Sequence, residues 1–250
     1  MLVNLNEVLR PAKKNKYAVG LFNAVNLDLA RGIINAAEAT RSPVIMGTAE
    51  VLLPYGPLEE VSYYLIPMAK KASVPVCFHL DHGPSELETT RSLRWGATGI
   101  MLDGSALSFE DNIALTKRVV DTCGFVDVQV EGELGHVGTT KDESMDEFTT
   151  PEDAKKFVEE TGAACLAVAV GTAHGRYTKP PKIDIDRIKA IREATNNAAL
   201  VLHGGSGTPA DQMANAIRHG ITKINIYSDV LYALNTGLKN TLNNITNPST

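Results

Sequence analysis

The sequence predicts an α/β chain folded as a single (β/α)8 (TIM) barrel spanning residues 1–250. Three observations carry that expectation. The chain has 250 residues, a typical size for such a barrel built as one domain. Eight apolar, β-rich runs recur about 25–35 residues apart, with amphipathic helical segments between them. The runs are mostly apolar, as expected of parallel strands covered by helices. An open doubly wound sheet shares this period and is the architectural alternative.

The first strand is expected at 17–22 (YAVGLF), with Asn26 capping the next helix and Ser42-Pro43 ending it. The second falls at 43–48 (PVIMGT) and the third at 74–81 (VPVCFHLD). Alternation in the third turns Val76, Phe78 and Leu80 toward the helices and Cys77, His79 and Asp81 into the barrel. The fourth is expected at 97–103 (ATGIMLD) and the fifth at 125–131 (FVDVQVE). On the fifth, Asp127, Gln129, Glu131 and Glu133 share the inner face, opposite Val126, Val128 and Val130. Such a polar row is costly unless its members bind one another, water or an ion; Asp127 and Gln129 are read as structural. Thr150-Pro151-Glu152-Asp153 opens a helix with proline at its first position and acids in its first turn. The remaining strands are expected at 163–170 (AACLAVAV), 198–203 (AALVLH) and 221–226 (ITKINI). In the last, Lys223 and Asn225 point inward and Ile224 and Ile226 outward.

Composition narrows the function. The chain is 44% hydrophobic and 21% charged, which is ordinary for a globular protein. A net charge of −5 and a pI near 5.7 argue against nucleic acid or an anionic membrane as partner. An anionic substrate therefore needs a local positive site. Cys77, Cys123 and Cys165 have no CxxC spacing and are read as reduced thiols, the first and last in the core. The N-terminus lacks the pattern of a signal peptide, and no apolar run approaches ~20 residues. A cytoplasmic protein is expected.

His82, His174 and His203 each stand at or just past a strand-like run, in HLDHG, VGTAHGRY and VLHGGSG. The C-terminal strand ends of a barrel meet on one face, so these residues can converge on one ion. Three imidazoles with a fourth position open are a catalytic zinc arrangement. By contrast, His79 is read as a hydrogen-bonded core histidine, and His136 and His219 as solvated. After His203, Gly204-Gly205-Ser206-Gly207 leads into a helix near Pro209, and Asn225-Ile226-Tyr227-Ser228 enters another. Small residues and helix N-termini suit a phosphate, and barrels commonly place phosphate after strands seven and eight. A metal-dependent enzyme acting on a phosphorylated small molecule follows.

The segments FNAVNLD, RSPVIMGTAE, HLDHG, IMLDGSALSFEDNI, VEGELGHVG, LAVAVGTAHGRYTKPPKIDIDRIKAIRE, LVLHGGSGTP and GITKINIYSD run in order through nearly the whole chain. Together they resemble the class II, zinc-dependent ketose-bisphosphate aldolases, especially the tagatose-bisphosphate branch. The resemblance implies that His82, His174 and His203 ligate one zinc ion and that Asp81 is the catalytic acid/base. It assigns Gly175, Gly204, Gly205, Ser206, Asn225, Ile226, Tyr227 and Ser228 to the dihydroxyacetone-phosphate site. Asp103 and Glu133 match carboxylates near an alternative metal position, and Asn23 and Thr48 match substrate-proximal positions. The implied reaction cleaves fructose or tagatose 1,6-bisphosphate to dihydroxyacetone phosphate and glyceraldehyde 3-phosphate. A homodimer or homotetramer is implied as well.

Two segments depart from the family pattern. The loop GHVGTTKDESMDEF is shorter than its counterpart and places Lys141 where an acid is expected. Asp142 or Glu143 can serve after a small register shift, and Glu143 is assigned as the second proton-transfer residue. The chain also ends at NITNPST, short of the extension that brings a basic residue to the distal phosphate; Arg176 and Lys179 stand near the mouth. Other readings of the same barrel are a Schiff-base aldolase through Lys223, a metal-dependent hydrolase and a non-catalytic sugar-phosphate binder.

Overall fold

A computed structural model describes the chain except residues 136, 138–147, 176, 178–179, 196–197 and 246–250. Eight parallel strands close into a barrel in sequence order: β1 Val19–Asn23, β2 Val44–Ala49, β3 Val76–Gly83, β4 Gly99–Leu102, β5 Gln129–Leu134, β6 Cys165–Val168, β7 Ala199–Leu202 and β8 Ile221–Ile226. The first strand pairs with both β2 and β8, which closes the sheet and excludes the open alternative. Between strands run α2 Leu27–Ala39, α3 Leu58–Lys71, α4 Glu86–Arg94, α5 Phe109–Gly124, α6 Pro151–Thr161, α7 Ile185–Ala194 and α8 Ala210–His219; α9 Ser228–Asn244 follows β8. Asn26 caps α2 by accepting from the Leu29 amide, and Thr150 caps α6 with Pro151 behind it, as the sequence implies. Among the described residues no helix is long and apolar enough to cross a membrane.

Outward strand residues such as Phe78, Leu80, Leu166 and Leu202 pack under the helices in two large apolar clusters. A third cluster fills the N-terminal end of the barrel. There Val19, Leu21, Ile45, Cys77, Cys165, Ala167, Ala199 and Val201 meet Leu5, Val8, Leu9 and Ala12 of a helix the strand count did not foresee, α1 Leu5–Asn15. A reciprocal capping box between Asn4 and Glu7 starts α1. All three cysteines are buried and free.

The fifth strand starts later than its sequence pattern suggests. Asp127 adopts φ 54°, and Phe125 and Val126 are exposed, so FVDV is a turn and the strand begins at Gln129. Asp127 and Gln129 then serve the floor: the Gln129 side chain accepts from the Asn6 amide, and Asp127 accepts from the Asn4 side chain. Higher up, the inward positions become polar: His79 and Asp81 on β3, Glu131 and Glu133 on β5, Lys223 and Asn225 on β8, all buried.

Candidate metal centre and active site

Asp81 and His82 are consecutive, and in a regular strand they would face opposite ways. The β3–β4 register shifts between Leu80 and Gly83, and His82 takes φ 49°. This bulge re-aims the imidazole so that both residues line the same cleft. A positive φ at a bulky residue is strained, and such outliers cluster at functional sites. His82 Nδ1 is fixed at 2.8 Å from Asp103 Oδ2, just past β4.

His174 lies in the loop after β6, where its Nδ1 hydrogen bonds to the Val137 carbonyl at 3.0 Å. His203 directly follows β7; its Nε2 is 3.1 Å from Glu131 Oε1 and its Nδ1 is 3.4 Å from Glu133 Oε2. The three rings converge, with centroids separated by 5.1 Å (His82–His174), 4.6 Å (His82–His203) and 5.6 Å (His174–His203). One ligand atom from each lies within 4.8 Å of the other two. His174 Nε2 and His203 Nδ1 are buried without a hydrogen-bond partner among the described residues, as is Glu133 Oε2. Buried polar atoms rarely stay unpaired, and three imidazoles, two anchored through the second nitrogen by carboxylates (His82, His203) and one by a backbone carbonyl (His174), fit a zinc-type divalent cation. His82, Asp103 and Glu133 form a second group able to hold a cation.

The surrounding charges prepare these groups differently. Burial and the neighbouring imidazoles push His174 down to about 4, leaving it neutral with a free lone pair near pH 7. Burial likewise lowers His203. Burial alone would also lower His82, but the Asp81 charge and the Asp103 hydrogen bond outweigh it and hold the ring near 10. Burial and then the Asp103 charge raise Glu133 to about 8. For Asp81, burial works against ionisation, yet His82, Lys223, His203 and the Asn23 amide together keep it well below the usual carboxylate range.

Two amides hold Asp81: Asn23 Nδ2 donates to Oδ2 at 2.9 Å and Asn225 Nδ2 to Oδ1 at 2.8 Å. Lys223 lies one pleat below Asn225. Its Nζ hydrogen bonds to Asn225 Oδ1 at 2.7 Å and Glu131 Oε1 at 3.1 Å. It also sits 2.8 Å from Glu131 Oε2, an ion-pair contact off the hydrogen-bonding axis. A Schiff base needs an amine with a free lone pair, and an Nζ enclosed by three acceptors is arranged instead as a cationic donor. His79 is fully buried as expected, but neither of its ring nitrogens finds a hydrogen-bond partner among the described residues. Burial and the Lys223 charge push it to about 3. Thr48 pairs in register with outward-facing Leu80 and does not line the cleft, unlike Asn23. His219 bonds through Nδ1 to the Asn215 carbonyl and is half-buried rather than solvated.

A cleft of about 650 Å³ opens over these residues. On one side it is lined by Gly175, Gly204, Ser206, Asn225, Tyr227 and Ser228, and on the other by Glu50, Val51, Leu52, Ser105 and Ala106. Gly204 has φ 66°, and a Cβ there would stand 2.3 Å from the Ala173 carbonyl oxygen, so only glycine lets the two loops meet. Ser206 Oγ accepts from the amides of Tyr227 and Asp229, tying the β7 loop to the start of α9. Gly205 packs against β8, where a Cβ would meet Ile224 and the Asn225 carbonyl; Ile226 faces outward into the helix layer. Glu143, with Lys141, Asp142, His136, Arg176 and Lys179, lies outside the described residues. Sequence reasoning missed the pairing of Glu131 with both His203 and Lys223, the Val137 carbonyl behind His174, and the Glu50–Leu52 side of the cleft. Of these, only the inward phase of Glu131 was readable from the pattern.

The sequence model of the family described as "Fructose-bisphosphate aldolase class-II" matches residues 3–250. The Escherichia coli K12 protein YdjI, described as uncharacterized, is 38% identical over 243 residues, covering 96% of this chain and 87% of its own. The crystal structure described as the YdjI aldolase superposes with a TM-score of 0.90 at 36% identity, over 98% of this chain and 89% of that one. A putative fructose-1,6-bisphosphate aldolase from Coccidioides immitis gives 0.88 at 28% identity, over 97% and 87% of the two chains. The fructose-bisphosphate aldolase of Campylobacter jejuni shares the fold, with a TM-score of 0.83 at 23% identity over 100% and 86%.

Proposed function

The chain belongs to the class-II fructose-bisphosphate aldolase family and is a metal-dependent carbon–carbon lyase; from that premise we propose the reaction and the role of each residue. The proposed substrate is a ketose 1,6-bisphosphate of fructose or tagatose configuration. Cleavage between C3 and C4 releases dihydroxyacetone phosphate and glyceraldehyde 3-phosphate, and the reverse direction condenses them.

His82, His174 and His203 would hold one Zn2+. When bound, that ion supplies Lewis acidity at the substrate ketone. Asp81 takes the C4 hydroxyl proton during cleavage and returns it to the aldehyde during condensation. Its two amide donors restrain the carboxylate, and each oxygen keeps a further lone pair for the substrate hydroxyl. Glu143 is assigned the proton at C3. Gly175, Gly204, Gly205 and Ser206, with Asn225 through Ser228, receive the phosphate of the dihydroxyacetone half, where backbone amides and the start of α9 favour an anion. Three buried, reduced thiols suit a reducing cytoplasm, and assembly as a homodimer or homotetramer completes the proposal.

One observation carries this reading: three rim imidazoles converge beside Asp81, with two buried ring nitrogens left unpartnered. Chelation followed by Zn2+ addition tests it, with fructose and tagatose bisphosphates and ketose monophosphates assayed side by side. Activity lost with chelator and regained with zinc on a bisphosphate is the expected result. Turnover that persists through chelation, with a borohydride-trapped adduct on Lys223, would replace the metal by the Schiff base. Phosphate-ester or amide hydrolysis without aldol cleavage would favour the hydrolase, and phosphate binding without turnover the non-catalytic binder.

A further inference from the structure

Beneath the rim a chain of buried hydrogen bonds ends on Asp81. Lys223 is fully buried, and its Nζ donates to Asn225 Oδ1 at 2.7 Å. Asn225 Nδ2 in turn donates to Asp81 Oδ1 at 2.8 Å. An asparagine amide has one accepting and one donating end, so a cation on Oδ1 commits Nδ2 to the carboxylate. The reversed amide would set an acceptor against Asp81 and the NH2 against Nζ. The other amide on Asp81 has no such anchor: Asn23 Oδ1 is buried with no hydrogen-bond partner among the described residues. The two donors are therefore unequal, and the Asn225 side is the fixed one.

We infer that Lys223 is a positioning residue for aldol cleavage: by gripping the Asn225 carbonyl it fixes the amide that aims Asp81 at the substrate hydroxyl. This rests on the reading of Asp81 as the proton-transfer base. Alternation places Lys223 and Asn225 on the same inward face of β8, so one strand carries both the grip and the amide. A buried cation is costly unless paired, and Glu131 meets that requirement at 2.8 Å. The same carboxylate accepts from His203 Nε2 at 3.1 Å. One ion pair thus reaches the general base through Asn225 and the imidazole cluster through Glu131.

A double-mutant cycle separates positioning from bulk stability. Lys223→Met alone leaves Glu131 as an unpaired buried charge, which can prevent folding. The neutral pair Lys223→Met/Glu131→Gln avoids this, because glutamine still offers His203 an acceptor. The pair is introduced into the wild type and into Asn225→Ala, with Glu131→Gln alone as a control, all loaded with zinc. With Asn225 present, kcat is expected to fall by on the order of 10- to 100-fold, the scale for ångström-level misplacement of a reacting group. KM and the zinc affinity, read by chelator competition, are expected to stay within about 3-fold on the same reasoning. In the Asn225→Ala background the pair is expected to cost almost nothing further. Equal losses in both backgrounds would overturn the inference, as would a loss of zinc affinity large enough to explain the change in kcat. A wild type with no aldol activity would instead refute the proposed function, so the two failures are distinguishable.

Discussion

At the residue scale, the site depends on two neighbours that a flat strand could not present together. Asp81 faces inward by simple alternation, and His82 joins it only through the bulge and its φ of 49°. The motif HLDHG makes both residues legible in sequence, but the backbone distortion has no pattern signature. Glu131 was legible as an inward carboxylate, but its pairing was not, because its partner Lys223 lies 92 positions away. Two substitutions divide the roles. His174→Ala is expected to abolish both zinc binding and turnover, measured by metal analysis and aldol assay, since it removes a buried nitrogen that has no hydrogen-bond partner among the described residues. Asp81→Asn keeps the imidazoles and should bind zinc normally while cleavage slows by roughly 10²–10⁴-fold, the range for a positioned acid/base. A near-normal rate in that variant would remove Asp81 from the mechanism.

At the scale of elements, strand positions were legible because parallel strands bury both faces and read as apolar runs. All eight runs coincide with strands, and the discrepancies are local. The fifth begins at Gln129 because Asp127 turns left-handed and exposes Phe125 and Val126. The missed element is α1. Its interior Pro11 and short apolar stripe disguise a helix that the Asn4–Glu7 capping box could have revealed. Leu9→Ala should test the role of α1 as the barrel floor: the cavity left there is expected to cost about 2–5 kcal/mol in urea melts, with kcat per folded molecule unchanged. A second element-scale constraint sits where β3 meets β4. A Cβ on Gly99 would stand 2.7 Å from His79 Nδ1 and 3.1 Å from Cys77 Sγ. Gly99→Ala is therefore expected to destabilise by about 1–3 kcal/mol, as overpacking does, read as a lower melting midpoint.

Across the whole molecule, the barrel is stratified along its axis. An apolar floor under α1 closes one end, a buried polar layer of the Lys223–Glu131 ion pair and His79 fills the middle, and His82 and His174 line the cleft above buried His203. On the proposed function, this stratification would let a chain with a net charge of −5 act on an anionic sugar phosphate: attraction would be local, from a bound cation and backbone amides, not from the overall field. Whether three imidazoles from the ends of β3, β6 and β7 share one cation is decided by zinc-edge anomalous diffraction from zinc-loaded crystals. One strong peak bounded by His82, His174 and His203 is expected, at the ~2.0–2.1 Å usual for zinc–imidazole bonds. A zinc-loaded crystal whose peak lies elsewhere, with those three rings uncoordinated, would contradict it.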